Sequence, residues 1–317
     1  MRLIEDYWTS EWAAVVEDFQ EMRALGANVV RVHLQFSQFM KDAQTPNAHA
    51  LSQLQRLLKV AEKLGLHLDL TGLACYREMD VPAWYDAMDE QARWRAQAVF
   101  WRSIARVCRN SPAVFCYDLM NEPVVPASAR KAGDWLVGQL AGYWYVQAIT
   151  LDPGERDRAR IARQWIDQLS GAIRLEDKHH LITVGMLPNS LETPVSGSGF
   201  PPSKVAGSLD FISVHVYPES KKLDSDLGNL RGFEIGKPLI VEEIFPLGCS
   251  ITELGEFIDN ATPPVDGWLG FYWGQTPAEL ATQKTLAGAL MLNWLEFFQR
   301  KGEREGFGGR SGDGKRD

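Results

Sequence analysis

The 317-residue sequence predicts an α/β fold, a (β/α)8 barrel of the TIM type, on three observations. Short apolar segments alternate with amphipathic helical patterns along nearly the whole chain. Those segments are apolar on both faces, as strands of a parallel sheet covered by helices must be. No repeat and no linker divides the chain, so residues 1–299 read as one domain.

The first helix is expected over residues 10–25, capped by Ser10. Trp12, Val15, Val16, Phe19, Met22 and Leu25 recur at helical spacing, and Gly26 ends it. The segment ANVVRVHL follows as a strand. A second helix spans 51–64, with Leu51, Leu54, Leu57, Leu58, Ala61 and Leu64 on one face, and LHLDLTG is the strand after it. Residues 90–109 form the third helix and AVFCYDLM the third visible strand. Next come a helix over 155–175, the strands HLITVGM and LDFISVHVY, a short helix over 223–235 and the strand KPLIVEE. The helix TELGEFI, the strand WLGFYWG and a helix over 277–299 complete the pattern. Residues 124–154 form a long excursion expected to carry its own short helix. The tail 300–317 is Gly-rich and charged and is expected to be disordered.

Seven strands are visible where the barrel needs eight. The remaining one should precede the helix at 10–25, where only MRLIEDY is available, a poor strand. The first strand is therefore expected to be poorly defined or missing, unless the true N-terminus lies upstream. The localisation stays open for the same reason. The N-terminal residues carry acids and no apolar h-region, so the chain as written has no signal peptide.

Composition narrows the function classes. The formal net charge is −8 and no basic stripe is interleaved with aromatics, which argues against a nucleic-acid partner. No run reaches eighteen apolar residues, so no membrane span is expected. The four cysteines, Cys75, Cys108, Cys116 and Cys249, lie far apart and suit buried free thiols. His33, His179 and His180 lack zinc-ligand spacing, and no Gly-rich phosphate loop follows a strand. No metal and no cofactor are expected. Eleven tryptophans suit a packed core and also offer flat faces to sugar rings.

In such barrels the chemistry sits where strands end. Reading only those ends collects Arg31, Asn121, Glu122, His215, Tyr217, Glu242, Glu243 and Trp273. A retaining glycosidase needs two carboxyl groups about 5–5.5 Å apart, one as acid/base and one as nucleophile. Glu122 and one of the Glu242–Glu243 doublet, from opposite sides of a barrel, could supply them. Strict alternation along a strand lets only one of that doublet face the mouth. Arg31 could fix the nucleophile by charge and bidentate hydrogen bonds. His215 and Tyr217, two apart, share a face, and Trp273 could be core or sugar platform.

With ALGANVVRVHL, DLMNEP, HVY, KPLIVEEIF and GFYWG in this order, the sequence resembles glycoside hydrolase family 5, the retaining β-glycanases that include cellulases and β-mannanases. The resemblance runs from about Trp8 to Trp294. It implies Glu122 as general acid/base, Glu243 as nucleophile and Asn121 as partner of the sugar 2-hydroxyl. It implies Tyr217 and Arg31 holding Glu243, His215 beside the acid/base, and Trp273 under the −1 sugar. The implied function is hydrolysis of a β-linked oligo- or polysaccharide, β-mannan or β-glucan foremost, by a monomer needing no cofactor. Thr71 departs from the family, standing where many members carry a histidine, and this weakens a cellulase assignment. Trp135, Tyr143, Trp144 and Tyr145 in the loop after Glu122 could close one end of a cleft or simply pack. A non-catalytic sugar-binding barrel is the alternative. The presence of both carboxylates with Arg31, Asn121 and Tyr217 favours the enzyme.

Overall fold

The computed structural model describes residues 3–191, 197–271 and 273–304. All seven expected strands form. They are β1 (Val29–Gln35), β2 (His67–Ala74), β3 (Val114–Asn121), β7 (Leu181–Met186), β8 (Ile212–Val216), β9 (Leu239–Ile244) and β10 (Gly267–Gly270), and they make one parallel sheet in the order β1-β2-β3-β7-β8-β9-β10. Helices Ala48–Leu64, Glu90–Cys108 and Arg158–Arg174 cross between successive strands and cover the outer face. Asn47, Asp89 and Asp157 cap them by accepting backbone N–H bonds. Trp101, Trp165 and Trp294 are fully buried, so much of the tryptophan content is core.

The first strand is missing among the described residues, as expected: Ile4–Asp6 is a 3-10 turn, and no described strand pairs between β1 and β10. A cavity of about 630 Å³ occupies that gap, lined by Ile4, Phe19, Val30, Leu269 and Phe271 and reaching Glu243 and Trp273. The helix Trp12–Ala24 starts after Glu11, not Ser10, and has no side-chain cap. The last strand stops at Gly270, leaving Trp273 in the segment beyond it. The excursion after Glu122 holds no helix. Instead β4 (Pro123–Val124), β5 (Leu136–Leu140) and β6 (Tyr143–Ala148) form a small sheet, since the aromatic run Tyr143–Tyr145 and the valines suit strands. The final helical region is two helices, Pro277–Thr282 and Leu286–Arg304. Residues 300–304, expected in the disordered tail, are thus helical, and the rest of that tail lies outside the described residues.

The N-terminal turn buries Glu5, whose Oε1 accepts the Gln35 N–H at 2.7 Å while Oε2 meets no donor. Burial lifts this carboxyl to about 7. The folded chain therefore holds a proton that the unfolded chain has already released above about pH 4.5. Stability is full below that pH and falls as pH rises to about 7, by about 3 kcal/mol. Glu5→Gln should flatten this slope and raise the unfolding midpoint at pH 8 but not at pH 4. Denaturant titrations at the two pH values measure it.

Candidate active site

The expected site residues converge on the C-terminal side of the sheet, Arg31 reaching there from within β1 and Trp273 from beyond β10. β3 delivers Asn121 and Glu122. A break in register between Asp118 and Asn121 brings both Asp118 and Asn121 onto Arg31, which strict alternation would forbid. Glu122 sits at φ 47°, a left-handed conformation unusual outside glycine. Its N–H donates to the Gly185 carbonyl at 2.9 Å, and its carbonyl accepts from Gln147. The β3–β7 ladder and the small sheet together hold the turn that aims the Glu122 side chain.

β9 supplies the second carboxylate. In the β8–β9 ladder Val214 pairs with Val241 and His215 with Glu243, so Glu242 is the extra residue of a bulge. Only Glu243 reaches the mouth, as alternation leads one to expect, but the bulge keeps Glu242 on the inner side as well: both approach Arg31, Glu242 buried below.

Arg31 is the hub. Its Nη1 donates to Glu243 Oε1 at 2.5 Å, Nη2 donates to Asp118 Oδ2 at 2.7 Å and to Asn121 Oδ1 at 3.1 Å, and Nε donates to Thr71 Oγ1 at 2.8 Å. Thr71 thus works where a histidine stands in many relatives by resemblance: it orients the guanidinium. Tyr217 donates to Glu243 Oε2 at 2.5 Å, so each oxygen of Glu243 is held by one donor. His215 Nδ1 lies 2.8 Å from Glu122 Oε1 and 3.6 Å from Glu243 Oε2. Carboxylate oxygens of Glu122 and Glu243 lie within 4.8 Å of each other.

The electrostatics follow from burial among like charges. Burial alone would lower the His215 imidazole, but Glu243, Glu122 and Glu242 outweigh it and raise it to about 10. His215 is therefore an imidazolium at neutral pH. Burial and the Glu242 charge raise Asp118 to about 6 against the pull of Arg31. Among the described residues two groups of side chains have ligand atoms close enough to hold a cation, Glu122–His215–Glu243 and Asp69–Asp118–Glu242. Each is already served by a cation, the imidazolium or Arg31.

Trp273 lines the same cavity as Glu243, with its indole N–H donating to Asp18 Oδ1 at 3.0 Å. Trp135, by contrast, is core: it is buried, stacks near Arg93 and donates to the Asp86 carbonyl. From the same hairpin Tyr145 approaches Tyr76, which bonds His33, and the Tyr145 carbonyl accepts from Asn121 Nδ2 at 3.0 Å.

Sequence reasoning missed Asp118, Tyr76 and Gly185. Asp118 could have been found as a carboxylate inside an apolar strand. Gly185 carries no such signal. A Cβ there would lie 2.9 Å from Arg31 Nη2, 2.9 Å from Glu242 Oε2 and 3.0 Å from His215 Nε2. Gly185→Ala should cost about 1–3 kcal/mol of stability. It should also slow turnover on the order of 10- to 100-fold by displacing Arg31. Chemical denaturation and steady-state rates check the two effects separately.

A parallel barrel with paired glutamates at its mouth, clamped by arginine and tyrosine, has the architecture of a barrel glycoside hydrolase. Residues 4–237 match the model of the cellulase family, glycosyl hydrolase family 5, and the chain belongs to that family. It is 26% identical over 237 residues to mannan endo-1,4-beta-mannosidase A of Emericella nidulans, an alignment covering 67% of this chain and 53% of that one. It is 24% identical over 225 residues to the probable mannan endo-1,4-beta-mannosidase A-1 of Aspergillus terreus, covering 62% and 50%. The chain thus spans about half the length of these curated relatives. Among solved structures, a GH5_18 protein from Streptomyces cattleya in complex with Manβ1-4GlcNAc superposes with a TM-score of 0.69 at 15% identity, covering 96% of this chain and 78% of that one. An exo-beta-1,4-mannosidase from Opitutaceae bacterium strain TAV5 gives 0.66 at 17%, covering 95% and 57%. At these identities the structural likeness speaks for the fold.

Proposed function

We propose that the protein is a retaining β-glycoside hydrolase acting on β-1,4-linked mannosides. The observation that carries this reading is the Glu122–Glu243 pair. One oxygen of each lies within 4.8 Å of the other, a close approach that suits the short separation, about 5–5.5 Å between carboxyl groups, that double displacement uses. An inverting enzyme needs a wider gap for its water. In this mechanism Glu243 attacks the anomeric carbon as Glu122 protonates the leaving oxygen, so the glycosidic bond breaks while an ester to Glu243 forms. Glu122 then takes a proton from water, which attacks the same carbon and releases Glu243.

The surroundings suit these roles. Arg31 and Tyr217 fix Glu243 in an attacking orientation without blocking its approach from the mouth. Asn121 spends one amide N–H on the Tyr145 carbonyl and keeps a second for a sugar hydroxyl. The mannoside preference is supported by the names of the curated relatives and of the solved neighbours.

The test is a panel of β-mannan, β-glucan, xylan and aryl β-glycosides, with product anomers followed by NMR. Turnover of mannosides with the β-anomer released first is expected. Release of the α-anomer first would refute double displacement. Turnover of glucan or xylan alone would refute the substrate class.

A further inference from the structure

Beneath the mouth lies a second carboxyl pair that the mechanism above does not use. Asp69 of β2 stands beside Arg31 across the β1–β2 ladder and beside Cys116 across the β2–β3 ladder. Glu242, the bulge residue of β9, reaches toward it. Both side chains are about 1% exposed. Oxygens of Asp69, Asp118 and Glu242 all lie within 4.8 Å of one another. Yet Asp69 Oδ1 and both oxygens of Glu242 meet no hydrogen-bond donor among the described residues. Arg31 Nη2 is 3.5 Å and His215 Nε2 is 3.6 Å from Glu242 Oε2, too long for good hydrogen bonds.

The groups facing this pair are few. They are Arg31 and His33 from β1, Cys116 and Asp118 from β3, His215 from β8 and Glu243 from β9. His33 is held neutral by its burial and by Arg31, and Cys116 is held as the thiol by its burial. The cations are Arg31 and His215, against four buried acids: Asp69, Asp118, Glu242 and Glu243. Arg31 already serves Asp118 and Glu243 directly. Two adjacent carboxylates in a dry interior cannot both stay ionised, and a proton between them supplies the missing donor.

We propose that Asp69 and Glu242 share one proton, and that this singly charged pair is what sets Arg31 between Asp118 and Glu243. Asp69 and Glu242 are then positioning residues for the nucleophile, an assignment that rests on the reading of Glu243 given above. The proton sits on Asp69. Burial lifts that carboxyl well above the ordinary range and the Glu242 charge adds to the lift. Burial acts on Glu242 the same way, but Arg31 and His215 outweigh it and hold Glu242 as the anion. One negative charge balances Arg31 from below. Two would draw its Nη2 down from Asp118 and Asn121 and so pull Nη1 away from Glu243. None would leave His215 Nε2 with no anion facing it.

Infrared difference spectroscopy on the full chain tests the shared proton directly. Wild type minus Asp69→Asn, at a pH where the enzyme works, should show the carbonyl stretch of a protonated carboxylic acid. Kinetics test the positioning role. Asp69→Ala should lower kcat on the order of a hundredfold with KM nearly unchanged, because Arg31 and Glu243 shift. Asp69→Asn, whose amide can still donate to Glu242, should recover most of that loss. Absence of the carboxylic-acid band, or an Asn variant as slow as the Ala variant, would overturn the proposal. If Asp69→Ala does not fold, the band and the Asn variant still decide it. The band does not depend on turnover, so failure of the hydrolase reading would show separately, as a wild-type protein that cleaves none of the glycosides.

Discussion

Glu243→Gln should leave a folded protein whose glycoside hydrolysis is slower by a factor on the order of 10⁵, the scale seen when a covalent nucleophile is removed. An amide fills the same space: its oxygen can accept from Arg31 and its N–H can donate to the Tyr217 hydroxyl, the two groups that orient the carboxylate. What it cannot do is form a glycosyl ester. Folding should therefore survive and sugar binding should persist. The decisive measurement is chemical rescue of Glu243→Ala by azide. With the nucleophile gone, azide enters from the vacated face and should yield the α-glycosyl azide. Glu242→Ala should also be slow, through Arg31, but it keeps the nucleophile and should form no α-azide. Formation of the α-azide by the Glu242 variant instead would reassign the nucleophile.

Removing the acid/base has a different signature. Glu122→Ala should lose about 10²–10⁴ in rate on substrates with poor leaving groups. With a dinitrophenyl glycoside, which needs no proton to depart, the first step should remain close to wild type. A burst of phenolate followed by slow turnover should appear, since deglycosylation still lacks its base. Azide should now yield the β-glycosyl azide, because it attacks the glycosyl-enzyme from the opposite face. Equal loss on good and poor leaving groups would mean that Glu122 acts through structure rather than through its proton. Its left-handed backbone, held by the Gly185 and Gln147 bonds, makes that control worth running.

The legible part of the site was the part written in short-range pattern. Apolar runs bounded by helical periodicity mark strands, and polar residues at their C-terminal ends stand out because burying them alone is costly. Arg31, Asn121, Glu122, His215, Tyr217 and the Glu242–Glu243 doublet were visible this way, the choice of Glu243 resting on the family resemblance, and the structure gathers them around one site. The hairpin Leu136–Ala148 was less legible, because its aromatic residues suit a loop, a helix face or a strand until a partner strand is present.

The sequence alone therefore determined the class of fold, the strand ends and the chemical types of the residues on them, since period and burial cost are local properties of the chain. Only the tertiary structure decided which way those residues point. The bulge at Glu242 turns both members of the doublet inward, and the break between Asp118 and Asn121 sets both on Arg31. The bare backbone of Gly185 leaves room for Arg31, Glu242 and His215 to meet. Register, bulges and close approach depend on the neighbouring strand in the ladder, so no single segment carries them.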